Sequence, residues 1–327
     1  MDYKVIGHHR EIKNLQKAIR EGNISHSYLF EGREGIGKLR LAKEFSKTLL
    51  CERGGEVYCD LCNSCLKFNR DNHPDFKLIS GEGRLIKKAE IDEIVDAVKH
   101  GPFESDRKIF IINNAHLMNK ESMNGLLKTL EEPPGFLNII LVTSRPEELL
   151  PTIRSRCQAL GLRPLSDQEV LDFILENYKI LPKEARIISK LAKGSLGQAL
   201  KMLEGGEILE LRKKIIAMID RILAGDRALI YQSEDFFEAN KDRIDDILNM
   251  MLYWFRDLAI YKETNNPSFL INEDKEDIFR KQILMDFSKI DKIIADIEET
   301  KRNIRANVNY PLSIEMMLLN IQEDNRW

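Results

Sequence analysis

The segment Gly32-Arg33-Glu34-Gly35-Ile36-Gly37-Lys38 leaves this chain few folds to choose from. Its glycines let backbone N–H groups converge on an anion and its lysine adds a cation, but such a cradle forms only where a strand feeds the loop and a helix leaves it. Both neighbours are present. Ser27-Tyr28-Leu29-Phe30 reads as a short strand before the loop, and residues 41–50 read as a helix after it. The expected core is α/β, a parallel sheet with flanking helices.

The rest of the first half fits that core. Ile12, Leu15, Ala18 and Ile19 recur at helical spacing and stop before Gly22, which predicts a helix over residues 9–21. Strands are predicted over residues 76–79, 109–112 and 138–142, the last two as the near-continuous apolar runs of a sheet covered on both faces. Asn119 is placed to cap a helix over residues 120–130, with Met123, Leu126, Leu127 and Leu130 on one face and Pro133-Pro134 barring continuation.

Beyond residue 164 no strand pattern is visible. Ser166-Asp167-Gln168-Glu169 is a capping box opening a helix that turns Val170, Leu171 and Ile174 inward. Glycines at 194, 197, 205 and 206 punctuate the helices that follow. The expected organisation is an α/β domain over residues 1–163, a small helical domain over 164–206 and an all-α domain over 207–327. In the last, Ile244, Ile247, Leu248, Met251, Tyr253, Trp254 and Phe255 supply core, with some apolar surface left for partners.

Four of the five cysteines, Cys51, Cys59, Cys62 and Cys65, fall within fifteen residues, the last three spaced as C-x2-C-x2-C. Four thiolates at close range suit tetrahedral Zn²⁺ in a reducing compartment, where disulfides are disfavoured. A ferredoxin-like iron–sulfur run is the competing reading, but the fourth cysteine lies upstream and no proline follows Cys65. A closed four-sulfur site leaves no coordination position for substrate, so its expected role is to fold a loop-rich excursion after the glycine loop.

The loop's chemistry is incomplete. Leu39 stands where a Ser or Thr would ligate Mg²⁺, and the strand Lys108-Ile109-Phe110-Ile111-Ile112 runs into Asn113-Asn114, where a nucleotide hydrolase of this architecture needs carboxylates. Losing water activation costs about 10² to 10⁴ in rate, and without the metal the developing phosphate charge goes uncompensated. Backbone cradling by Gly32, Gly35, Gly37 and Lys38 needs no carboxylate, so ATP binding without hydrolysis stays open.

Composition narrows the partners. With 50 basic and 53 acidic residues the net charge is −3, so no global attraction to a polyanion operates. The basic runs at residues 84–88 and 301–305 are expected to be solvated surface. No apolar run is long enough to span a bilayer, and Met1-Asp2-Tyr3-Lys4-Val5 has no secretory pattern, so a cytoplasmic location is expected.

Several of these segments together carry a specific likeness: His26-Ser27-Tyr28-Leu29-Phe30-Glu31-Gly32, the cysteine insert, His73-Pro74-Asp75, Leu126-Leu127-Lys128-Thr129-Leu130-Glu131-Glu132-Pro133-Pro134 and Ser155-Arg156-Cys157. The chain resembles the clamp-loader AAA+ family of bacterial DNA polymerase III, strongly to about residue 200 and through helical architecture and Trp254-Phe255-Arg256-Asp257 beyond. The resemblance implies a ring-like assembly in which motor subunits bind ATP, open a sliding clamp and place it on primed DNA. It implies that residues 164–206 form a lid and residues 207–327 a collar. It further implies that Arg156 projects into the next subunit's nucleotide site, a role that suits an always-charged, bidentate guanidinium.

In the same family Thr143 or Ser144 would occupy a sensing position at a strand end, while Gly197 or Gln198 stands where a sensor arginine is usual. The expected function is that of a non-hydrolysing subunit. The alternatives are an active motor ATPase of the same loader, and a nucleic-acid-binding zinc ribbon on a scaffold. Against the ribbon, the cysteine neighbourhood offers only Tyr58 and Phe68 as aromatics.

Overall fold

The structure, a computed structural model, describes residues 3–81 and 84–323. The chain divides into two compact units, Met1–Ile180 with Ala192–Leu200, and Leu181–Leu191 with Lys201–Trp327.

The first unit is built on five strands: β1 (Ser27–Glu31), β2 (Phe76–Ser80), β3 (Lys108–Asn113), β4 (Leu137–Thr143) and β5 (Gln158–Gly161). They pair in the order β2-β3-β4-β1-β5, every pair parallel. Helices α1 (His9–Arg20), α2 (Lys38–Leu49), α3 (Asn63–Asn69), α4 (Lys88–Val98), α5 (Lys120–Glu131), the short α6 (Pro151–Arg154) and α7 (Asp167–Asn177) connect or follow them.

Alternation along the strands sorts side chains onto two faces. Tyr28, Phe30, Ile109, Ile111, Ile140 and Val142 pack with Leu15 of α1 and with Leu41 and Phe45 of α2. Leu29, Phe110, Ile112, Ile139 and Leu141 pack on the other face with Ile91 and Ile94 of α4 and with Met123 and Leu126 of α5. Phe45 is fully buried and meets Tyr28 edge-on at 5.3 Å between centroids. Truncating such a ring to alanine costs about 3–5 kcal/mol.

The expected helices and strands appear with small changes of boundary. Asn119 caps α5 by accepting from the Ser122 N–H at 2.8 Å. Ser166 and Glu169 close their capping box, each side chain bonded to the other's backbone N–H at 3.2 and 2.8 Å. Helix α2 begins at Lys38 rather than residue 41, so the lysine of the loop is itself the first helical residue. The edge strand β5 was not foreseen; it is four residues long and mostly exposed, so it carries no apolar signature.

After β5 the described residues hold helices only. α8 (Pro182–Ala192), which belongs to the second unit up to Leu191, and α9 (Leu196–Glu204) are followed by the remaining helices of that unit: α10 (Ile208–Leu223), α11 (Arg227–Gln232), α12 (Glu234–Ala239), α13 (Ile244–Thr264), α14 (Glu276–Gln282), α15 (Phe287–Arg305) and α16 (Tyr310–Glu323). α13 runs through the middle of that unit's core, burying Ile247, Leu248, Met251, Trp254, Phe255 and Leu258. Trp254 stacks on Phe279 at 4.3 Å and donates to Gln282 Oε1 at 3.0 Å.

The buried Asp257 accepts from the Ile271 and Asn272 backbone N–H groups and from Asn272 Nδ2, at 2.7 to 3.1 Å. These bonds pin the loop after α13, although burial still pushes its carboxyl up. The basic runs are engaged with surface partners: Arg84 grips Glu90 with both guanidinium arms, and Arg305 reaches Asp245. Among the described residues, no helix is long and apolar enough to cross a membrane.

Candidate functional site

Parallel pairing brings the carboxyl ends of β1, β3 and β4 to one edge of the sheet, where Glu31 pairs with Thr143 and Asn113 with Val142. In open α/β sheets this edge is where ligands bind. The glycine loop leaves β1 there, and its backbone is held by five consecutive carbonyls. Lys38 Nζ donates to Gly32 O at 2.8 Å and Arg33 O at 2.5 Å; Ser195 Oγ donates to Glu34 O at 2.9 Å; the Gly197 N–H donates to Gly35 O at 2.8 Å; and His8 Nε2 lies 2.7 Å from Ile36 O. Because a carbonyl only accepts, the last contact requires the proton on His8 Nε2.

The close approach of residues 195–197 requires two glycines. Gly35 sits at φ +75, where a Cβ would lie 2.3 Å from Ser195 Oγ, and a Cβ on Gly197 would lie 2.9 Å from Gly35 Cα. Lys38 is buried, and that burial lowers its pKa to about 8, opposed in part by Glu34. Its ammonium is committed to the loop's own carbonyls.

The three positions singled out in the sequence, Leu39, Asn113 and Asn114, each have a local structural setting. Leu39 lies against the apolar cluster of Tyr28, Phe30 and Phe45. Asn113 donates through Nδ2 to Ser80 Oγ at 3.2 Å, and Asn114 takes a left-handed backbone conformation, φ 53. Thr143 is buried; its hydroxyl accepts from the Arg145 N–H and meets His116 Nδ1 at 3.1 Å. Burial lowers the His116 pKa, reinforced by nearby Arg145.

The four cysteines converge as predicted. Their sulfurs all lie within 4.8 Å of one another, with Cys51 and Cys62 at 4.0 Å. A tetrahedron with Zn–S bonds of about 2.3 Å has sulfurs about 3.8 Å apart, so the set can hold a metal and suits zinc. Backbone N–H groups point at the sulfurs as they do at thiolates: Leu61 and Cys62 donate to Cys59 Sγ at 3.5 and 3.4 Å, and Cys65 donates to Cys62 Sγ at 3.4 Å. The Leu61 N–H, with that of Cys62, holds the Cys59 thiol down to about 6 against some opposition from burial, whereas burial pushes Cys51 and Cys65 up. A bound cation removes that penalty.

The module is buttressed by His73-Pro74-Asp75. His73 Nδ1 accepts from the Asp75 N–H at 3.1 Å, which leaves Nε2–H to donate to Ser64 Oγ at 3.0 Å, and Ser64 passes the chain to Leu50 O at 2.5 Å. This line ties α3 to the end of α2. The buried Asp75 carboxylate accepts from the Phe103, Glu104 and Ser105 N–H groups at 2.6, 2.9 and 2.9 Å. Tyr58 and Phe68 are buried in the core, leaving neither ring as a platform for bases.

Arg156 lies at the opposite edge of the sheet. Its backbone oxygen accepts from Ser27 Oγ at 2.7 Å, at the first residue of β1, whereas the glycine loop begins after the last. The strand between them advances about 3.3 Å per residue, so the guanidinium does not serve its own chain's loop. It pairs with Glu131 Oε1 at 2.7 Å and donates to Thr152 O at 2.8 Å, with a third of the side chain exposed.

Reasoning from sequence missed His8, Ser195, Glu131 and Asp75 as participants. Glu131 and Asp75 sit inside short segments already singled out, and Ser195 lies between the glycines at 194 and 197; His8 carried no such signal.

A strand, a glycine loop and a helix on a five-stranded parallel sheet, with a cysteine module inserted after the helix, define a member of the phosphate-loop α/β class. Comparison with known proteins narrows this. Residues 7–166 match the family described as DNA polymerase III, delta subunit, and residues 207–323 match its C-terminal counterpart. The DNA polymerase III subunit delta' of Bacillus subtilis is 30% identical over 318 residues, 96% of this chain and 96% of that protein.

The subunit gamma of Buchnera aphidicola subsp. Schizaphis graminum is 36% identical over 207 residues, 62% of this chain and 57% of its own length. Among solved structures, a gamma subunit-related protein of Thermotoga maritima shares the fold, with TM-score 0.52 and 18% identity, over 97% of this chain and all of that one. The chain belongs to the DNA polymerase III delta family, and its likeness to a delta' subunit covers 96% of its length.

Proposed function

We propose that the chain is the delta'-type subunit of a DNA polymerase III clamp loader, an assembly component that turns over no ATP and lends Arg156 to the nucleotide site of a neighbouring motor subunit. In the assembled loader it acts with ATP-binding motor subunits and a delta-type subunit on the sliding clamp and primed DNA, in the cytoplasm. The observation that carries this reading is the placement of Arg156 at the sheet edge away from its own loop, a third exposed and held by Glu131 and Thr152 O. An arginine finger supplied in trans is worth about 10³ to 10⁵ in rate where it has been dissected.

Support for the absence of turnover comes from Leu39, Asn113 and Asn114, and from a loop whose carbonyls are satisfied by this chain's own donors. In this reading Gly32, Gly35, Gly37 and Lys38 form an inherited support for the turn from β1 to α2. Cys51, Cys59, Cys62 and Cys65 hold a structural zinc that braces the insert. Residues 1–163, 164–206 and 207–327 serve as the AAA+ domain, lid and collar. The test is ATP turnover by the isolated full-length chain: background rates are expected, and motor-like turnover abolished by Lys38→Ala would make the chain an active motor instead.

A further inference from the structure

Residues 3–8 run from the cysteine module to the glycine loop, and both of their ends are held. At the module end the two neighbours of Cys59 do the holding. The Tyr3 ring stacks on Tyr58 at 6.4 Å between centroids and 15° between planes, and Lys4 Nζ donates to Asp60 Oδ2 at 3.3 Å. At the loop end Val5 packs on the apolar cluster that contains Leu41 and Phe45 of α2, and His8 Nε2 donates to Ile36 O at 2.7 Å. A Cβ on Gly37 would lie 3.9 Å from both Val5 and His8. Six extended residues span at most about 20 Å, so a segment this short has little slack to absorb movement at either end.

The holding residues are shaped by the four-sulfur site. Asp60 takes a left-handed backbone conformation, φ 59, in the turn from Cys59 to Cys62, where the Leu61 and Cys62 N–H groups point at Cys59 Sγ. Its carboxylate accepts from Lys47 Nζ of α2, from Asn69 Nδ2 of α3 at 3.1 Å and from Lys4. Lys47 Nζ also lies over the Tyr58 ring, 3.9 Å from its centroid. Weak N–H···S bonds and a disfavoured backbone do not fix such a turn by themselves, whereas four sulfur–metal bonds do. Tyr58 and Asp60 therefore present one arrangement to residues 3 and 4 when the cysteines are bridged by a cation, and a looser one when they are not.

We infer that residues 3–8 are a strap that carries the metal occupancy of the cysteine site to the glycine loop: with Zn²⁺ held by the four sulfurs His8 keeps its grip on Ile36 O, and with Zn²⁺ lost the loop loosens. The brace thus acts beyond its own insert. This coupling rests on the zinc reading of the cysteines and not on the clamp-loader reading. It is partial, because the Lys4 N–H also donates to Glu44 Oε2 of α2 at 3.2 Å, a tie indifferent to the metal, and because Lys38 and Ser195 hold other carbonyls of the loop. A factor of about ten between the two states is expected, and linkage makes it reciprocal.

The test is amide exchange of the full-length chain, stripped with a chelator and then reloaded with Zn²⁺, read in a peptide covering residues 33–40 and in a reference peptide covering residues 123–130 of α5. Stripping is expected to speed exchange in the first about tenfold and to leave the second unchanged, and reloading to restore the first. Two variants cut the strap at opposite ends: Tyr3→Ala with Lys4→Ala at the module, and His8→Asn, which tolerates the left-handed backbone of residue 8 but shortens its donor, at the loop. In both, loop exchange should be fast with Zn²⁺ present and no longer respond to it. Competition with a chromogenic chelator should show zinc affinity in the first variant lower by about the same factor. Unchanged loop exchange in the stripped protein, a full response in both strap variants, or equal acceleration of the reference peptide would overturn the coupling. A chain that takes up no zinc would refute the metal assignment as well, a result distinct from zinc taken up beside an indifferent loop.

Discussion

Gly35→Ala compared with Gly22→Ala measures how strongly residues 195–197 hold the glycine loop. The two glycines share a left-handed backbone, φ +75 and +67, but a Cβ on Gly22 meets nothing within 4 Å, whereas one on Gly35 lies 2.3 Å from Ser195 Oγ and 3.2 Å from Gly197 Cα. Alanine in that conformation costs about 1 kcal/mol at either site. At position 35 the new methyl must also displace Ser195 from Glu34 O and push Gly197 away from Gly35 O, two hydrogen bonds worth about 1 kcal/mol each. The expected costs are about 1 kcal/mol for Gly22→Ala and about 3 kcal/mol for Gly35→Ala.

Urea unfolding followed by far-UV circular dichroism gives the totals. Amide exchange of a peptide covering residues 33–40 reads the loop itself, which matters because a chain of two units need not unfold in one step. Equal costs at the two positions, with unchanged exchange in the loop, would refute the reasoning.

Further outcomes follow from the same interactions. Metal analysis of the purified chain should find about one zinc per molecule, reduced by Cys59→Ser or Cys65→Ser and accompanied by a lower melting temperature; iron with visible absorption would contradict the zinc assignment. Asp75→Ala strands three backbone N–H groups and should cost about 3–5 kcal/mol in urea unfolding, with a cost below about 1 kcal/mol counting against the buttress.

The Glu90 carboxyl is held down to about 2, first by Arg84 and then by the Lys87 N–H, with burial opposing. Its contribution is therefore full above the unfolded value of 4.5 and is lost as pH falls toward 2. The stability gap between wild type and Glu90→Gln, on the order of 1 kcal/mol at neutral pH for this partly exposed pair, should close over that window; a gap that widened on acidification would reverse the assignment.

Much of the first unit was legible because its signals are local. The glycine loop demanded a strand before it and a helix after it, and β1 and α2 supply them. Strands β3 and β4 announced themselves as apolar runs because both their faces are covered. What escaped was structure whose cause lies far along the chain or in an unusual donor. The N-cap of α3 is Cys62 Sγ, so its signal was absorbed by the metal pattern. Helix α4 opens at Lys87, a residue without a side-chain acceptor to cap with, and Glu90 reaching back to the Lys87 N–H does half of a capping box alone.

The loop's carbonyl bonds to Ser195 and Gly197 span about 160 residues of sequence, and no period or motif encodes them. The position of Arg156 followed from its neighbours in sequence. The edge of the sheet that it occupies followed only from its bond to Ser27.

The most direct measurement is ATP hydrolysis by a reconstituted loader, motor subunits with this chain, stimulated by clamp and primed DNA, comparing wild type with Arg156→Ala at matched assembly. Loss of the trans guanidinium is expected to lower turnover at the adjoining site by about 10³ or more, seen as the disappearance of that site's share of the total rate. Glu131→Ala, which frees the same side chain from its resting partner, should retain turnover. A fully assembled Arg156→Ala loader hydrolysing ATP at the wild-type rate would contradict the account.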